Sequence, residues 1–224
     1  MTNPGFAGVP EDAFRFFVDI RFNNHRAFFE ENRKRYERSV KQPFFALAEA
    51  LAPAISRVDE RLDTRARRVV SRIRRDTRFT KDKTPYRDHV WLSWRQSHEG
   101  NGECFGIYFE IDEMHYGYGA GFYGNNREGM NAFREKLRNP ARAEEFLRIA
   151  ERLTQAGFLL GGEDYKRIPE GCPRQELLPW YIKKGFYVYR DVPLGEGSVG
   201  PELVDELAAA YEKLGPLYRF MYTA

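Results

Sequence analysis

The hydrophobic period of this chain changes twice. Up to about residue 68 apolar side chains recur every three or four positions, between there and about residue 125 they alternate, and beyond that the helical spacing returns. Helices, then strands, then helices cannot wind a parallel sheet, because each parallel strand needs its own crossover. The order predicts an α+β fold, with an antiparallel sheet in the middle of the chain flanked by N- and C-terminal helices. No internal repeat or low-complexity linker divides the 224 residues, so residues 1–224 are read as one domain.

The first helix is expected from Pro10-Glu11-Asp12, with proline early and acids near the positive end of the dipole. Asn23-Asn24 offers a cap for a second helix to about Val40, Lys41-Gln42-Pro43 reads as its break, and a third runs from Pro43 to about Val58. Strands are expected over Val69–Arg75, Val90–Arg95, Cys104–Ile111, Met114–Tyr123 and Phe186–Arg190. Later helices are expected near 126–138, 140–156, 175–183 and 200–213.

Charge is concentrated where the strands begin. Residues 61–89 hold eleven cations and four carboxylates, a local excess of +7 in a chain whose net charge is +3. Ser71–Arg87, SRIRRDTRFTKDKTPYR, carries seven of those cations in seventeen residues. If this stretch is extended, Arg72, Arg74 and Asp76 share one face and Val69, Ser71 and Ile73 the other. Guanidinium forks match phosphate or carboxylate oxygens, so Arg72, Arg74 and Arg78 form a candidate anion clamp. Lys81 and Lys83, on the loop that follows, are placed to close over the ligand, with Tyr86 beside them. Asp76 is the candidate base or orienting group. The competing reading is a solvated, charged strand edge.

A second candidate lies on the hairpin 104–123. A turn at Asp112-Glu113 sets Glu110 opposite His115 and Tyr108 opposite Gly117. Phe105, Ile107, Phe109, Tyr116, Tyr118 and Ala120 then face the core, while Gly106, Gly117, Gly119 and Gly121 strip the other face of side chains. A helix packed on that bare backbone is the favoured explanation; a pocket floor rimmed by Tyr108, Glu110 and His115 is the alternative.

Other chemistries find little footing. Gly119-Ala-Gly121-Phe-Tyr-Gly124 matches GxGxxG, but follows an antiparallel hairpin rather than opening a βαβ unit. His25, His89, His98 and His115 lack metal-ligand spacing, and Cys104 and Cys172 make neither a disulfide framework nor a zinc quartet. No metal, cofactor or membrane partner is expected, and the reading is of a cytoplasmic protein, without a leader at Met1–Pro10.

The Ser71–Arg87 motif resembles the signature of the domain of unknown function 2461 family (DUF2461). Asn23-Asn24-His-Arg-Ala-Phe28-Phe29 is similar to that family's early Asn-Asn…Trp-Phe element, with Phe28 in the tryptophan's place, and Arg33 and Tyr36 fit its continuation. Gly117–Gly124 and Tyr165-Lys-Arg-Ile-Pro-Glu-Gly171 resemble two further elements, so the likeness covers about residues 10–215. Glu170 stands where the family carries lysine, and the Asp-His-Pro that follows there is absent. The resemblance implies an α+β fold and no particular activity.

Three functional readings follow from the residues. The leading one is an anion-binding domain, or an enzyme acting on a phosphorylated or carboxylated small molecule. The second is a nucleic-acid-binding or nucleic-acid-processing module, with Arg61, Arg65, Arg67 and Arg68 extending the basic surface and Trp91 and Trp94 stacking on bases. The third is a non-catalytic scaffold.

Overall fold

The computed structural model describes residues 5–96, 104–195 and 199–223; His98 lies outside them. The helical first third is α1 (Glu11–Phe22), α2 (Arg26–Tyr36) and α3 (Gln42–Val58). The expected break at Lys41-Gln42-Pro43 does not occur. A π-helical turn, Glu37–Lys41, joins α2 directly to α3, and its shift in hydrogen-bond register accommodates the missing amide of Pro43 just after it. The cap of α2 is also not an asparagine: His25 Nδ1 accepts from the Phe28 amide at 3.3 Å.

The strand expected over Val69–Arg75 is replaced by a helical turn, α4 (Ala66–Val69), and then an extended segment outside the sheet ladder. That segment is held by separate backbone bonds, Ser71 N to Trp91 O, Arg87 N to Ile73 O and Arg75 N to Pro85 O. The paired segments form an irregular arm whose tip is residues 76–84.

The sheet has five strands in the order β1-β2-β3-β5-β4, all antiparallel. They are β1 (Val90–Trp94), β2 (Phe105–Ile111), β3 (His115–Phe122), β4 (Leu159–Gly161) and β5 (Tyr187–Pro193). The short β4 has no counterpart among the expected strands. Between β3 and β4 run α5 (Arg127–Leu137) and α6 (Pro140–Gln155); α7 (Leu178–Tyr181) precedes β5. The last helix, α8 (Leu203–Tyr222), continues well past residue 213 despite Gly215-Pro216. Leu214, Leu217, Tyr218 and Phe220 are all buried along it, so tertiary packing outweighs the one backbone bond lost at proline.

The β2–β3 register differs from expectation by two residues. Asp112 Oδ1 accepts the amides of Met114 and His115, which centres the turn on Glu113-Met114 and sets Glu110 opposite Gly117 and Tyr108 opposite Gly119. A shift of two preserves the faces. Phe105, Ile107, Phe109, Tyr118 and Ala120 are buried beneath α8. Among the described residues, the atoms nearest Gly106, Gly117, Gly119 and Gly121 come from neighbouring strand segments rather than from a helix. A Cβ on Gly119 would meet Val188 O at 2.0 Å and Tyr108 Cε1 at 3.1 Å, and one on Gly121 would meet Tyr187 Cβ at 2.1 Å. The neighbouring strand and cross-strand tyrosines therefore fill the space left by these glycines. Among the described residues, no helix is long and apolar enough to cross a membrane.

Candidate functional site

The basic arm and the second helix enclose a cleft of about 820 Å³. One wall is a single stripe of α2 and the π turn, with Arg26, Glu30, Arg33, Glu37 and Lys41 at spacings of three and four. The opposite wall carries Arg67 from α4, then Val70, Arg72, Ile73 and Arg74 from the arm. Phe29, Tyr36, Phe45 and Tyr86 supply the apolar floor, where the Phe29 and Tyr86 rings stack at 4.4 Å.

The arm is fixed to the helices by Asn24. Its side chain donates to Tyr86 O and accepts from Tyr86 N, both at 2.9 Å, satisfying that residue's backbone on both sides. Arg87 fixes the arm's direction from behind. Its Nη1 donates to Arg72 O at 2.6 Å and Arg74 O at 2.8 Å, while its guanidinium lies 4.5 Å over the Trp91 ring. Burial lowers the Arg87 pKa, and neighbouring Arg75 lowers it further. With those carbonyls held, the Arg72 and Arg74 side chains stand out on the exposed side, as alternation predicts.

The cleft has six cationic residues and two carboxylates. Both carboxylates are engaged, Glu30 with Arg33 at 2.7 Å and Glu37 with Lys41 at 3.2 Å. Among the described residues, the side chains of Arg26, Arg67, Arg72 and Arg74 make no hydrogen bond or ion pair. The Tyr36 and Tyr86 hydroxyls also lack a hydrogen-bond partner there, and burial pushes the Tyr36 hydroxyl up to about 12.

Thus Arg72, Arg74 and Tyr86 come together in one cleft. Asp76, Arg78, Lys81 and Lys83 lie at the arm's tip and line no part of it. Arg78 forms a fork with Asp76, with Nη2 2.7 Å from Oδ2, and Lys83 donates to Thr77 O at 2.8 Å. Arg75 binds both Asp82 and Thr84. The Arg78 bond holds the Asp76 carboxyl at about 2, and Arg75 then Thr84 hold Asp82 at about 2, against an ordinary 3.8. A carboxylate so acidic is a weak proton acceptor at neutral pH. Both groups favour the folded tip above 3.8, and that preference disappears as pH falls to about 2. Carboxyl NMR titration is expected to give midpoints near 2 for both; midpoints near 3.8 would show that the tip pairs do not form in solution.

Sequence reasoning missed Arg26 as a site residue and placed Arg67 only on a nucleic-acid surface. The signal for Arg26 was present in the stripe at 26, 30, 33 and 37, but nothing local indicates which element that stripe faces. The proposed nucleic-acid surface is partly consumed by internal pairing. Arg61 binds Asp59 at 2.8 Å, Arg65 binds Asp63, and Trp94 is wholly buried in the core.

The second candidate forms a smaller cleft of about 230 Å³ on the open sheet face, lined by His89, Glu110, Asp112, His115, Gly117 and Asp191. Gly117 leaves the gap between Glu110 and Asp191. His115 Nδ1 lies 2.8 Å from Asp112 Oδ1, which raises the imidazole pKa, and burial raises that of Glu110. Tyr108 is outside this lining. Among the described residues, no group of three or more His, Cys, Asp or Glu side chains is arranged to hold a metal ion.

Fold and cleft together define an α+β protein with an antiparallel sheet and a basic, aromatic-floored groove at the sheet's edge. The chain belongs to the DUF2461 family, whose model, described as "Conserved hypothetical protein (DUF2461)", matches residues 12–220. No curated protein matches it.

Proposed function

We propose that this protein is an anion-binding domain that takes a phosphorylated or carboxylated small molecule in the cleft between α2 and the arm. One observation carries the reading: Arg26, Arg67, Arg72 and Arg74 line one open groove without hydrogen-bonded or ion-paired partners among the described residues, while the groove's own carboxylates are occupied. Crowded cations repel unless a counter-charge is supplied. A ligand phosphate or carboxylate supplies it with bidentate geometry. The cleft volume falls within the range of small-molecule sites, roughly 300–1,000 Å³. Arg78, Lys81 and Lys83 add to the positive field that draws an anion in. The acidity of Asp76 favours binding over proton-transfer chemistry at the tip.

Inorganic phosphate is expected to raise the melting temperature, with an effect that weakens only gradually with sodium chloride because a single small anion engages few charges. A nucleic-acid surface predicts instead steep salt-sensitive binding of single-stranded or duplex oligonucleotides and little response to phosphate. No phosphate-dependent shift in melting temperature would contradict the proposal.

A further inference from the structure

The number and origin of the unpaired guanidiniums define the ligand more narrowly, an extension that rests on the anion-binding reading. Arg72 and Arg74 lie two residues apart on one side of the arm, a rise of about 7 Å, and suit one anionic group held between two forks. Arg26 comes from the first turn of α2 and Arg67 from α4, so they form part of the groove independently of the arm. A single phosphate monoester carries at most about −2 at neutral pH. It would leave about half of the four unpaired charges uncompensated, since Glu30 and Glu37 already serve Arg33 and Lys41. Beside these cations, Phe45, Val70 and Ile73 give a half-buried apolar wall, and Tyr36 adds a hydroxyl without a hydrogen-bond partner among the described residues. A wholly ionic ligand would make no use of that wall.

We infer that the cleft recognises a molecule with two phosphoryl groups joined to a body that offers a flat, stackable face, the chemistry of a nucleoside diphosphate. Arg72 and Arg74 take one phosphoryl group, Arg26 and Arg67 the other, and the aromatic and aliphatic residues receive the body.

Isothermal calorimetry of the full chain with phosphate, pyrophosphate, adenosine 5′-diphosphate and adenosine, all without divalent metal, tests this. Pyrophosphate is expected to bind about tenfold or more tighter than phosphate, the gain from a second set of charge-assisted contacts. The nucleoside diphosphate is expected to bind tighter still, and adenosine alone not measurably. Arg26→Gln/Arg67→Gln, checked by circular dichroism for native content, should bring pyrophosphate down to the level of phosphate. Equal affinity for phosphate and pyrophosphate would overturn the second phosphoryl site while leaving an anion site standing. A nucleoside diphosphate no tighter than pyrophosphate would overturn the stackable body. If no phosphate compound binds, the anion-binding reading itself fails.

Discussion

Replacing Arg72 and Arg74 together by glutamate is expected to abolish phosphate binding and leave the thermal transition where it is, or slightly higher. Neither side chain has a hydrogen-bonded or ion-paired partner among the described residues, so reversal strands no carboxylate. The backbone carbonyls of both positions stay bound to Arg87 whatever side chain they carry. Reversal also relieves repulsion from Arg26 and Arg67, while presenting two negative charges to any anion. Calorimetry with phosphate and a thermal melt on the same sample check both halves. If these arginines instead neutralised buried acids, the double variant would lose about 3–5 kcal/mol. A large drop in melting temperature would therefore assign them to the fold rather than to a ligand.

The second large effect is expected at Gly119. A leucine there must place its Cβ where Val188 O now lies, 2.0 Å from the ideal position, with Tyr108 closing the other side. Val188 O belongs to backbone, so relief requires moving β5 away from β3. The cost is expected on the order of 3 kcal/mol, the upper end for overpacking. Gly117→Ala is the control: the added Cβ meets nothing nearer than Arg190 O at 3.5 Å, an ordinary contact. Chemical denaturation of both variants separates them, and equal stability would mean that β3 and β5 are not paired in the register described.

Alternation made much of the site legible before any coordinates. It set Arg72 and Arg74 on the opposite side from Ser71 and Ile73, and the two faces of the hairpin followed from the same rule. Its failures have physical causes. The segment 69–75 has strand-like spacing, yet its backbone bonds go to Trp91 and Pro85 one at a time, because Pro85 has no amide to donate and Asn24 occupies both backbone groups of Tyr86. The register slipped because a carboxylate, Asp112, stabilises a turn one residue later than Asp112-Glu113. The join at residues 37–41 was hidden because proline ordinarily breaks a helix, and a π turn accommodates it. Arg26 was passed over and Arg67 was placed on a nucleic-acid patch, since only tertiary contact brings α2 and α4 to the arm. The early Asn23-Asn24 element gains a different role from the one expected: Asn24 ties the arm to the helices instead of capping α2.

The central claim is that a small anion binds in the cleft of α2 and the arm. Arginine side-chain NMR during titration with inorganic phosphate tests it most directly, because each Nε–H reports its own environment. Saturable shifts concentrated at Arg26, Arg67, Arg72 and Arg74, with Arg78 and Arg61 unmoved, are the predicted result. Uniform small drifts across all arginines, or shifts centred on the arm's tip, would contradict it.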